Sequence, residues 1–97
     1  MQKESVIQSK IIKHLEKEWW FTIKTIKVSP NWTPDLICFR KWKHLFIEVK
    51  IETWRTSVLQ DYVIKKLREN GSYVIVPYWY KDFIIKYNDY EKNMWRM

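Results

Sequence analysis

Apolar residues recur along residues 4–19 on a single stripe, Val6, Ile7, Ile11, Ile12, Leu15 and Trp19, which predicts an amphipathic helix. From Trp20 to Val28 the pattern changes to β-branched and aromatic residues (Phe21, Thr22, Ile23, Thr25, Ile26, Val28), the composition of a strand. Ser29-Pro30-Asn31-Trp32-Thr33-Pro34 stops it, because two prolines cannot continue regular pairing. Leu36–Arg40 is a short apolar strand, Lys41-Trp42-Lys43 a polar turn, and His44–Ile51 a third strand. In that strand side chains alternate: Leu45, Ile47, Val49 and Ile51 share one wholly apolar face, while Phe46, Glu48 and Lys50 share the other.

A second helix is predicted from Ser57, with Gln60 three positions on as in a capping box, an apolar stripe of Val58, Leu59, Tyr62, Val63 and Leu67, and a stop at Asn70-Gly71. Ser72–Tyr78 forms a fourth strand around Val74-Ile75-Val76. Phe83, Tyr87, Tyr90 and Met94 fall at helical spacing in the tail, Lys81–Met97. The order is therefore α-β-β-β-α-β-α. A tight turn makes the second and third strands antiparallel, and a helical crossover makes the third and fourth parallel. The fold class is α/β, a mixed central sheet flanked by helices, in one domain spanning residues 1–97.

Composition narrows the function. Hydrophobic residues make up 46% of the chain, too many for a disordered one. Charges interrupt every apolar run, which argues against a signal peptide or a membrane span and for a soluble, cytoplasmic protein without a membrane partner. One cysteine, Cys38, in the apolar run Leu36-Ile37-Cys38-Phe39, fits a buried thiol in a reducing compartment. With only His14 and His44 beside it, a zinc site of the usual kind is excluded. The net charge of +7 favours a polyanionic partner, and seven tryptophans exceed what so small a core can hide, so some belong at an interface.

The chemistry concentrates in Pro34-Asp35 and, twelve residues later, Glu48-Val49-Lys50. Asp35 opens one strand of a hairpin and Glu48 lies in the next, so a register that pairs them brings two carboxylates together. Carboxylates held close repel unless a cation lies between them, and a hard, oxygen-ligated ion such as Mg²⁺ suits that geometry, with Mn²⁺ as its substitute. Lys50, on the same face as Glu48, is suited to orienting or deprotonating a water and to neutralising charge that grows on a phosphate.

These residues resemble the PD-(D/E)xK nuclease superfamily, with Pro34-Asp35 as its PD element and Glu48-Val49-Lys50 as its ExK element. The resemblance implies a restriction-endonuclease-like fold, with the metal held by Asp35, Glu48 and the carbonyl of Val49, and with Glu4 as an additional acid from the first helix. Glu4 lies seven residues from Ile11, on the apolar side of its helix. Ser57-Val58-Leu59-Gln60 is similar to the Ser-x-x-Gln element of the VRR-NUC branch, which adds Gln60 to the catalytic set of Asp35, Glu48 and Lys50. Where that branch usually has a glycine before Pro-Asp, this chain has Thr33, which stiffens the loop. Stand-alone members of this size, often viral, resemble Holliday-junction resolvases and work as homodimers on branched DNA, in the host cytoplasm where viral.

Each residue also has a plainer role: Pro34-Asp35 as a turn, Glu48 with Lys50 as a surface ion pair, Gln60 as a capping partner, Glu4 as a helix-start acid. Lys41, Trp42, Lys43 and His44 at the hairpin tip form a basic, aromatic finger for DNA. The expectation is a Mg²⁺-dependent DNA endonuclease selective for junctions or flaps in replication, recombination or repair, with no small-molecule cofactor. Its rivals are a non-catalytic nucleic-acid-binding module and an RNA nuclease.

Overall fold

Seven elements follow in the expected order: α1 (Glu4–Lys17), β1 (Phe21–Lys24), β2 (Leu36–Arg40), β3 (Lys43–Ile47), α2 (Val58–Glu69), β4 (Tyr73–Ile75) and α3 (Tyr80–Met94). They are those of a computed structural model that describes residues 3–25, 33–50 and 58–94. The strands lie side by side as β1-β2-β3-β4. β1 and β2 are antiparallel, as are β2 and β3, whereas β4 joins parallel to β3 through the α2 crossover.

Alternation along the β2–β3 hairpin decides which side is core. Leu36, Cys38, Leu45, Ile47 and Val49 are buried against Ile7, Ile11 and Leu15 of α1 and Phe83, Tyr87 and Tyr90 of α3. The α3 rings stack in series, Phe83 on Tyr87 at 5.6 Å and Tyr87 on Tyr90 at 6.2 Å between centroids. His14 sets its ring edge-on to Phe83 and Tyr87, which fills the α1–α3 boundary. Burying each large ring stabilises the fold by roughly 1.5–3 kcal/mol. Trp20 closes the layer: its indole N–H donates to the Tyr87 hydroxyl at 2.9 Å, and that hydroxyl donates to Glu91.

Four expectations are corrected. The first helix ends at Lys17 rather than Trp19, because the chain turns there: Trp19 has φ 70°, its N–H donates to the Glu16 carbonyl at 3.1 Å, and the Trp20 N–H reaches the Leu15 carbonyl at 3.0 Å. β1 begins at Phe21 and ends at Lys24, with Ile26 and Val28 outside the described residues.

β3 ends at Ile47 because the N–H of Val49, which would continue the ladder to β2, donates instead to the Asp35 carboxylate. Toward β4 the pairing runs on, with the Glu48 N–H on the Ile75 carbonyl and the Lys50 N–H on that of Pro77, each at 3.0 Å. The fourth correction concerns α2. Of the expected stripe Val58, Leu59 and Tyr62 are exposed and Val63 and Leu67 half-buried, and the helix buries Gln60 and Ile64 most deeply. Ser57 and Ile51 lie outside the described residues.

Candidate active site

The register of the sheet assembles the site. Lys24 pairs with Leu36 and Leu36 with Ile47, so the next row across three chain segments is Thr25, Asp35 and Glu48. By the same alternation that buries Leu36 and Ile47 against α1 and α3, this row turns its side chains to the other face of the sheet. Asp35 and Glu48 are each only 3% exposed. Carboxylates this deeply withdrawn from water are costly unless charge and hydrogen bonds compensate them.

Part of that compensation comes from the backbone and from Lys50. The Val49 N–H donates to Asp35 Oδ2 at 2.7 Å, a short charge-assisted bond. Thr25 fixes the backbone of Asp35, its N–H and its hydroxyl both donating to the Asp35 carbonyl, at 2.9 and 3.1 Å. The same hydroxyl also lies within hydrogen-bond reach of the Pro34 carbonyl. Lys50 stands 3.8 Å from Glu48 Oε1 and donates to Gln60 Oε1 at 2.8 Å. Gln60 thus faces inward beside Ile64 and accepts from the ammonium. The arrangement is two carboxylates, hard oxygen ligands, from adjacent strand ends, a fixed ammonium, and a neutral amide that aims it.

Glu4 opens α1 and accepts a long 3.5 Å bond from the buried Gln8 one turn on. Among the described residues no three His, Cys, Asp or Glu side chains form a group able to hold a metal. The sheet register sets Asp35 in the row beside Glu48. Lys41, Trp42 and Lys43 sit at the opposite end of the hairpin from the acids, roughly 20 Å away along β2 at ~3.3 Å per residue. His44 is exposed and bonds Ser72 at 2.9 Å, on the β4 side of the hairpin.

Sequence reasoning overlooked Thr25 and Gln8. Thr25 is detectable once the three-strand register is written out, since it falls beside Asp35. Gln8 stands one turn from Glu4 on a stripe that otherwise buries Ile7, Ile11 and Leu15, and a buried amide there is a polar intrusion into an apolar pattern.

No protein-family model matches the sequence, and no curated protein matches it. Among solved structures, a VRR-NUC domain superposes with a TM-score of 0.74 at 23% identity, covering 89% of this chain and 97% of that one. The chain thus has the restriction-endonuclease-like architecture of a VRR-NUC domain. Among the described residues no helix is long and apolar enough to cross a membrane.

Proposed function

We propose that this protein is a metal-dependent endonuclease that hydrolyses phosphodiester bonds in DNA, selectively in branched structures such as junctions and flaps. The observation that carries this reading is the burial of Asp35 and Glu48 on adjacent strand ends with Lys50 beside them. The donor set fits a hard divalent ion, Mg²⁺ or Mn²⁺: two carboxylates, joined by the backbone carbonyl of Val49, with Glu4 as an outer acid from α1. Such an ion, when bound, lowers the pKa of a water and offsets charge on a phosphate oxygen.

The residues of the chain have distinct tasks. Asp35, clamped by Val49 and Thr25, presents its carboxylate in one orientation. Lys50, tethered to Gln60, orients the attacking water and offsets negative charge as the phosphorus gains its fifth oxygen. The net charge of +7 draws the phosphate backbone toward an acidic centre that would otherwise repel it. Because one chain carries one such site, cutting two strands symmetrically requires two copies. The exposed apolar residues Phe21, Ile23 and Phe39, on the open face of β1 and β2, support a homodimer. The lone buried thiol fits action in the reducing cytoplasm.

The test is cleavage in Mg²⁺ and in EDTA of matched single-stranded, duplex, flap and four-way-junction DNA and of an RNA hairpin. Cleavage of the branched DNAs in Mg²⁺, lost in Asp35→Asn, is expected. Salt-sensitive binding with no product, indifferent to Asp35→Asn, would overturn the reading in favour of a binding module, and preference for the hairpin would make the protein an RNA nuclease. A monomeric mass at working concentration would remove the dimer.

A further inference from the structure

Two helices of this chain end in the same hydrogen-bond pattern with different residues at its critical position. At the end of α2 the Gly71 N–H donates to the Arg68 carbonyl at 3.1 Å and the Ser72 N–H to that of Leu67 at 2.9 Å, with Gly71 at φ 86°. This is a Schellman cap, and glycine occupies its left-handed position without strain. At the end of α1 the equivalent bonds run from Trp19 to Glu16 and from Trp20 to Leu15, and the left-handed residue is Trp19, at φ 70°. A bulky side chain is disfavoured in that conformation, and burial does not compensate it, because Trp19 is 86% exposed.

The hairpin tip repeats the anomaly. Lys41 has φ 59° in a two-residue turn closed by the Arg40–Lys43 pair, where glycine is usual, and the next residue, Trp42, is 90% exposed. Trp19 and Lys41 are the two non-glycine residues with positive φ among the described ones, and both line a single cavity of about 580 Å³ together with Trp42, Lys43, Arg40 and Met94. That volume lies within the range of small-ligand sites. Its floor is rigid. Arg40 donates to the Glu18 carbonyl at 3.0 Å and to Glu91 at 2.9 Å, and its guanidinium lies 4.4 Å from the centre of the Trp20 ring. The Glu91 carboxylate is therefore already paired, and on the rim Lys41 and Lys43 outnumber the one remaining acid, Glu18.

We infer that this cleft binds an unpaired nucleotide, the base stacking on Trp19 and Trp42 and the phosphate meeting Lys41 and Lys43. Indole faces suit a base that has left its stack, and lysines suit its backbone, whereas a paired duplex offers no open base face. The cleft lies roughly 20 Å from Asp35 along β2, so it would hold the single-stranded part of a branched molecule away from the bond being cut. The assignment of that strand to the substrate rests on the nuclease reading above. Binding itself does not.

The test measures fluorescence anisotropy of a short labelled oligo(dT) strand and of a blunt duplex in EDTA, where no hydrolysis occurs. Trp42→Ala and Trp19→Ala are each expected to weaken strand binding about tenfold, with Trp42→Tyr restoring most of it and duplex binding nearly unchanged. Trp19→Gly is expected to raise the thermal midpoint, as removal of backbone strain should, while also weakening strand binding. Unchanged strand affinity in both alanine variants would overturn the inference, as would an equal loss on duplex. Loss of a dimeric mass without loss of strand binding would give the tryptophans to a second copy of the chain. A lower midpoint in Trp19→Gly would make Trp19 structural. If instead no DNA is cleaved in Mg²⁺ while the tryptophan variants behave as expected, the nuclease reading falls and the cleft stands.

Discussion

The two faces of the β2–β3 hairpin are built on opposite principles. Toward α1 and α3 it presents Leu36, Cys38, Leu45, Ile47 and Val49, sealed by stacked rings. On the other face it presents Asp35 and Glu48, buried but polar, where Lys50 reaches Gln60 of α2, and beyond them Ile37 and Phe39, of which Phe39 is exposed. One face of the same ten-odd residues supplies cohesion. The other spends part of it to hold like charges close together. The difference teaches that stability and chemistry can be separated by a single step along a strand, since neighbouring side chains alternate.

The strongest test of that separation exchanges the two outcomes. Glu48→Gln should reduce Mg²⁺-dependent hydrolysis at least ~10³-fold, about 4 kcal/mol of barrier, while leaving the denaturation midpoint unchanged or raising it, because relief of the repulsion with Asp35 offsets the lost pairing with Lys50. Phe83→Ala should do the reverse, lowering stability by about 3–5 kcal/mol in urea titration. Residual hydrolysis by its folded fraction should be near normal. If Glu48→Gln unfolds the protein, the acids belong to the scaffold and the comparison fails.

Lys50→Met acts between the two extremes. It removes the ammonium that stands 3.8 Å from Glu48 and the bond that ammonium gives Gln60, so both activity and stability should fall, the latter by about 1–3 kcal/mol. On the core face, Tyr87→Phe deletes a hydroxyl that links Trp20 to Glu91, and should cost about 1–2 kcal/mol with no change in hydrolysis. Equilibrium denaturation beside a cleavage assay resolves each pair.

The same contrast explains what was legible in the sequence. The core face was, because alternation in β3 and the helical spacing of Phe83, Tyr87 and Tyr90 state it directly, and both proved buried. The register that sets Asp35 beside Glu48 was open in the sequence, since the turn expected at Lys41-Trp42-Lys43 is a two-residue one closed by the Arg40–Lys43 pair. The rotation of α2 was not legible. Of its expected stripe Val58, Leu59 and Tyr62 face outward and Val63 and Leu67 are half-buried, while Gln60 turns in beside Ile64 with its amide on the ammonium of Lys50. Nor was the early end of β3, which depends on a backbone N–H given to a side chain. Hydrophobic periodicity records burial of apolar surface, and it carries no signal for polar groups buried on each other's account.

Cys38 offers the mildest test, and it probes the sealed face alone. The thiol lies on the core side of β2, fully buried, and that burial pushes its pKa from 9.0 up to about 12. The folded state therefore favours the neutral thiol. Stability from this group is fully present below pH 9, where the unfolded chain also keeps its proton, and is lost as pH rises toward 12, because the unfolded thiol ionises first. Burial raises the pKa of Tyr87 and Tyr90 in the same direction, so the alkaline decline belongs to the core face as a whole. At pH 8 iodoacetamide should label Cys38 only as fast as the protein opens, and Phe83→Ala should accelerate labelling while Glu48→Gln leaves it unchanged. Labelling of the folded protein at the rate of a free thiol, or equal acceleration by both variants, would mean that the two faces open together and that their separation is one of composition without being one of mechanics.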